Sequence, residues 1–162
     1  MAEPDGQGYF MILATFFVAY LLAVLPLAPW LEWARPEWVA LVLIYWTIAL
    51  PHRVGIFTAL ILGVGLDILE GAVLGQNAFA LLVVGVLALT LYQRLRVYSL
   101  WQQCAVVFVL VGINQLICHW VQNLEGVGSE TLLFLLPALT SALLWPVALQ
   151  FLRGLRREYR VN

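Results

Sequence analysis

The chain has 162 residues, of which 64% are hydrophobic and 10% charged, and its mean hydropathy is +0.95. A soluble domain is about 45–50% apolar and about 25% charged, so this composition excludes an ordinary soluble domain, and equally a disordered, collagen-like or disulfide-stapled chain. A net charge of −1 leaves no basic surplus for nucleic acid.

Six spans of about 20 residues use about 120 residues, which leaves only short loops and tails. The expectation is a single integral membrane domain over 1–162, all-α and polytopic. The start, Met1-Ala2-Glu3-Pro4-Asp5, is acidic, whereas a signal peptide opens on a positive region; the first apolar stretch therefore reads as a retained span.

The apolar segments fall at 9–27, 38–50, 54–69, 72–92, 101–121 and 132–152. Pro26 and Pro29 end the first, and Pro36 precedes the second, where a helix start tolerates it. Pro51-His52-Arg53 divides the second from the third, and Glu70-Gly71 the third from the fourth. The second segment, thirteen residues at 38–50, covers roughly 20 Å of a roughly 30 Å hydrocarbon core. Two short, tilted or flanked helices are expected there rather than a re-entrant hairpin, which would carry His52 and Arg53 deep into the membrane.

Charge sets the orientation. All eight basic residues are Arg. With six spans, Arg53, Arg94, Arg96, Arg153, Arg156, Arg157 and Arg160 share one side and Arg35 stands on the other. The positive-inside rule then makes both termini cytoplasmic. Trp30, Trp33, Trp38 and Trp120 fall at the outer interface and Tyr92, Tyr98 and Trp101 at the inner one, where amphipathic rings settle. The seven arginines read as topology and lipid anchors, the tail from Arg153 to Arg160 attracting anionic lipid by about 1 kcal/mol per charge.

Three features are candidates for function. Gly55, Ala59 and Gly63 recur four apart, a stripe that admits a close helix, either of this chain or of a partner. Asp67 closes the stripe, and two readings of it are open: a functional carboxylate inside a span, or one that reaches water or caps the next helix. In the fifth segment Asn114, Gln115, Cys118 and His119 form i,i+4 pairs, read either as interhelical hydrogen bonding or, with Asp67 and Gln76, as the lining of an outward-facing polar pocket. No Walker A loop, nucleophile elbow, HExxH or carboxylate–base pair occurs, so neither an enzyme nor a metal or cofactor site is expected. Cys104 and Cys118, 14 residues apart on one expected helix, stand about 21 Å apart and cannot pair.

Several stretches resemble one family. Arg35-Pro36-Glu37-Trp38, Leu43-Ile44-Tyr45-Trp46 and Ala49-Leu50-Pro51-His52-Arg53-Val54-Gly55 are similar to the opening half of the rod-shape-determining protein MreD family, in its proteobacterial form. So are Leu66-Asp67-Ile68-Leu69-Glu70-Gly71 with Leu74-Gly75, Tyr92-Gln93-Arg94-Leu95-Arg96 with Leu100-Trp101-Gln102-Gln103, and Leu144-Trp145-Pro146. The resemblance runs from about residue 35 to 157. It implies a multi-pass protein of the bacterial inner membrane. It also implies a non-enzymatic part in the elongasome, which inserts side-wall peptidoglycan and maintains rod shape. The direct partner it implies is MreC; MreB, RodZ, RodA and a class B penicillin-binding transpeptidase lie beyond. The fold it implies is similar to the S-components of energy-coupling-factor vitamin transporters, whose architecture would enclose the pocket and offers the alternative of a small-molecule or lipid-binding transporter or sensor. The family supplies no catalytic residue.

Overall fold

The computed structural model describes residues 5–128 and 130–160, the side chain of Asp5 excepted. Its helices are α1 (Asp5–Val24), α2 (Pro29–Glu32), α3 (Trp38–Ala49), α4 (Ile56–Glu70), α5 (Gln76–Val97), α6 (Leu100–Leu124) and α7 (Leu136–Glu158), the last entered through a 3-10 turn over Leu132–Leu135. No strand occurs among the described residues.

Local chemistry explains the ends. α1 stops at Val24, three residues short of the apolar run's end, because Pro26 has no N–H to give and disfavours helix at the residue before it. α4 closes on Gly71, at φ +64°, a left-handed cap that costs glycine least. α5 starts at Gln76 rather than 72, because Gly75 at φ +101° turns the chain first. Gln102 Oε1 accepts the Ser99 N–H at 3.0 Å at the start of α6, half of a capping box. α7 runs on through Pro146 to Glu158, so the arginine-rich tail is the last turns of a helix and not a separate segment.

α3 is the centre. It is apolar on every side, as a helix surrounded by others must be, and is packed by α1, α5, α6 and α7. Trp46 and Trp145 are fully buried. Each indole N–H is satisfied, Trp46 by Thr15 Oγ1 at 2.9 Å and Trp145 by Gln103 Oε1 at 3.2 Å, as burial of a donor requires.

The long helices alternate in direction between two ends. At the first end, Arg96 of α5 donates to the Ile48 and Ala49 carbonyls that close α3. There too Gln103 at the start of α6 meets Trp145 of α7, and Arg53 before α4 lies over the Tyr9 ring of α1. At the second end, Arg35 donates to Ala23 O and Leu25 O as α1 finishes, at 2.6 and 2.7 Å. The starts of α3, α5 and α7 and the finishes of α4 and α6 gather with it. The termini of the described chain therefore lie at the first, arginine-rich end.

Among the described residues, four helices, spanning Gly6–Val24, Gln76–Val97, Leu100–Leu124 and Leu132–Glu158, are long and apolar enough to cross a membrane. Their outward faces carry large apolar side chains, Phe17, Phe108, Val147 and Phe151 among them, which is how a chain solvated by lipid looks and a water-soluble one does not. These long apolar helices mark the chain as a membrane protein. α3, with 12 residues, reaches only about 18 Å. Enclosure explains its shortness: its ends meet protein groups instead of lipid, where unsatisfied backbone would be costly.

Candidate functional site

The second end holds a buried carboxylate network. Asp67, 1% exposed, sits one turn before the end of α4 and reaches across the Gly71–Gly75 turn. Its Oδ2 accepts the Gly75 N–H at 2.8 Å and the Ala78 N–H at 3.4 Å, and its Oδ1 accepts the Asn77 N–H at 2.8 Å. These are orphan donors of the first turn of α5, and a carboxylate there also meets the positive end of the helix dipole. Of the two readings open in the sequence, the helix-capping one describes this geometry.

The network extends through side chains. Asn77 donates to Glu70 Oε2 at 3.0 Å, and its Oδ1 receives the Cys118 thiol of α6 at 3.5 Å. Gln76 lies beside the same thiol. Gln115 donates to Glu37 Oε1 at 2.6 Å, and the Glu37 backbone N–H donates to Ser141 Oγ of α7 at 2.9 Å. Burial, with the nearby Glu70 charge adding to it, pushes Glu37 up to about 7 against the pull of Gln115 and Arg35. Two hydrogen-bonded groups, meeting on α6 at Cys118 and Gln115, thus tie α3, α4, α5, α6 and α7 together at this end.

The residues expected to line a pocket are partly united here. Asp67, Gln76 and Gln115 belong to the network. Asn114 is buried and its Oδ1 has no partner among the described residues. His119 turns elsewhere and stacks on Phe134, ring centroids 4.1 Å apart at 3°. Glu37, Asn77 and Ser141 were missed as members. Asn77 was legible, one residue after the expected Gln76, but Glu37 and Ser141 lie 78 and 26 residues from Gln115, and no periodicity joins them.

Two members of the small-residue stripe, Ala59 and Gly63, pack against α5 of this chain, one of the two readings that their spacing leaves open. A Cβ on Gly63 would overlap the Ala78 Cα and come within 2.6 Å of the Asn77 carbonyl oxygen. Ala59 is fully buried, its Cβ 2.9 Å from where a Cβ on Gly85 would stand. Both residues seat α4 on α5. Gly55 caps the start of α4, with open space around it.

A lateral groove opens instead between α1 and α4, which touch sparsely. It has a volume of about 460 Å³ and is lined chiefly by Leu13, Phe16, Phe17, Thr58 and Ile61, with Arg53 at the first end. Tyr20 spans its floor, donating to Leu62 O at 2.6 Å, and the absence of a side chain at Gly65 makes room for its hydroxyl.

The family model for the rod shape-determining protein MreD matches residues 5–155. The chain belongs to the MreD family. The rod shape-determining protein MreD of Haemophilus influenzae is 34% identical over 157 residues, covering 95% of each chain. No solved structure matches. The MreD match takes in every long helix but the last three residues of α7, and with them both the carboxylate network and the α1–α4 groove.

Proposed function

We propose that this MreD-family chain is a non-enzymatic adaptor of the bacterial inner membrane that serves rod shape by holding the single transmembrane helix of MreC. In this reading it crosses the bilayer six times with both termini in the cytoplasm. The alternation of helix ends supports that topology, as does the gathering of seven arginines at one end and Arg35 alone at the other. The protein acts within the elongasome alongside MreB, RodZ, RodA and a class B penicillin-binding transpeptidase, supporting side-wall peptidoglycan synthesis.

The observation that carries the proposal is the α1–α4 groove. The described chain has little mass outside its helices, so it acts through its lateral face, short loops or interior. In lipid, helices associate by close packing rather than by a hydrophobic gain, and a preformed apolar trough between two splayed helices offers that packing. Co-purification tests it. Tagged protein in detergent should retain MreC stoichiometrically, and Phe17→Ala with Ile61→Ala should weaken retention while both variants still insert. Undiminished MreC in the double variant would refute the groove.

A second reading rests on Asn114. Its partnerless buried acceptor beside the carboxylate network is what a small-molecule or lipid site of the S-component type would present. A bound mass in purified protein that disappears in Asn114→Leu would favour that reading over the adaptor.

A further inference from the structure

The arginine-rich end contains a second cavity, away from both the groove and the carboxylate network. Its volume is about 180 Å³, and its walls include Tyr45, Arg96, Gln103, Trp145, Arg153 and Arg156. Three arginines line it and no carboxylate does. Sites for drug-sized ligands measure roughly 300–1,000 Å³, so the space suits one small anionic group and its first ester rather than a nucleotide.

The walls are built rather than accidental. Arg96 is fixed by Ile48 O at 2.8 Å and Ala49 O at 3.1 Å, with its guanidinium 5.2 Å from the Tyr92 ring centre. Gln103 is fixed by donating to Leu95 O at 2.9 Å and by accepting from Trp145. The Tyr45 hydroxyl, on a residue 3% exposed, donates to no acceptor among the described residues. Arg156 of α7 approaches it as a hydrogen-bond donor, and Arg153 adds its charge. Arg153 itself is exposed and makes no hydrogen bond or ion pair among the described residues. A buried hydroxyl proton without an acceptor is costly, and an anion seated among these arginines would accept a hydrogen bond from it and take the planar forks that suit phosphate.

We propose that this cavity, between α3, α5, α6 and α7 at the arginine-rich end, binds one phosphate group, carried by an anionic phospholipid headgroup or free in solution. It differs from a general attraction of the basic tail to anionic lipid: Arg157 and Arg160 carry the same charge but do not line the cavity.

The full chain in detergent tests this in two arms. In the first, native mass spectrometry follows retention of phosphatidylglycerol against phosphatidylcholine; in the second, thermal unfolding is followed with added inorganic phosphate, using sodium chloride at matched ionic strength as the control. Selective phosphatidylglycerol retention, falling roughly fivefold in Arg153→Gln and in Tyr45→Phe but not in Arg157→Gln, supports a headgroup site. Stabilisation by phosphate alone, lost in the same two variants, supports a free-phosphate site. Equal loss in Arg153→Gln and Arg157→Gln would show tail electrostatics only and overturn the proposal, as would no response in either arm. Tyr45→Phe removes one oxygen and keeps the ring packed, so the test does not depend on altering Arg96, which also closes α3.

Discussion

Asp67 accepts the backbone N–H of Asn77 across the turn that joins α4 to α5, at 2.8 Å. That bond, with those from Gly75 and Ala78, lets a carboxylate lie 1% exposed at the edge of an apolar bundle. Asp67→Asn keeps the volume but removes the charge and one acceptor. Hydrogen bonds to a charged group contribute about 1.5–3 kcal/mol, so the variant should lose stability of about that size, read as a lower unfolding midpoint in detergent. An unchanged midpoint would remove Asp67 from the account of the fold.

Gly63 and Gly55 belong to one spacing but should respond oppositely. Gly63→Leu drives a side chain into the Ala78 backbone, and over-packing costs about 1–3 kcal/mol or more; the expected result is loss of monodisperse protein. Gly55→Ala meets open space and should leave the protein intact. Size-exclusion profiles of the two variants decide this, and a well-behaved Gly63→Leu would contradict the internal packing.

Glu37 should make stability depend on pH. Its carboxyl is raised from 4.5 to about 7 by burial first and Glu70 second, so the folded state holds the proton more tightly than the unfolded state. Its contribution is full below about 4.5, declines as pH rises through about 7 and is level above that. Glu37→Gln keeps an acceptor for Gln115 and should flatten the dependence. The check is the unfolding midpoint between pH 5 and 8 for both proteins, and identical slopes would contradict the assignment.

Arg35 closes α1 with two bonds from one planar group, at 2.6 and 2.7 Å. Lysine offers a point charge without the fork. Arg35→Lys should therefore recover only part of the stability lost in Arg35→Ala, measured in the same unfolding assay; full recovery would mean that charge alone matters at this position.

How much of this was legible in the sequence follows from the range of each signal. Membrane character and the helix breaks at Pro26, Pro51 and Gly71 depend on composition and local backbone chemistry, which a sequence carries directly. The stripe at Gly55, Ala59 and Gly63 showed that some helix approaches closely, but spacing does not say whose; α5 supplies it through Ala78 and Gly85. Asp67 was legible as a carboxylate near a helix start, while the pairing of Glu37 with Gln115 requires α3 and α6 to be neighbours, which no local pattern contains. The short second apolar segment looked anomalous only because its enclosure by other helices is a tertiary fact.

The most direct test of the adaptor account is site-specific photocrosslinking in growing rod-shaped cells. A photoreactive residue at Phe17 or Ile61, on the α1–α4 groove, is compared with one at Leu143, exposed on α7. The account predicts a crosslink to MreC from Phe17 and Ile61 and none from Leu143. A crosslink from Leu143 alone would place MreC on the opposite helix and contradict it.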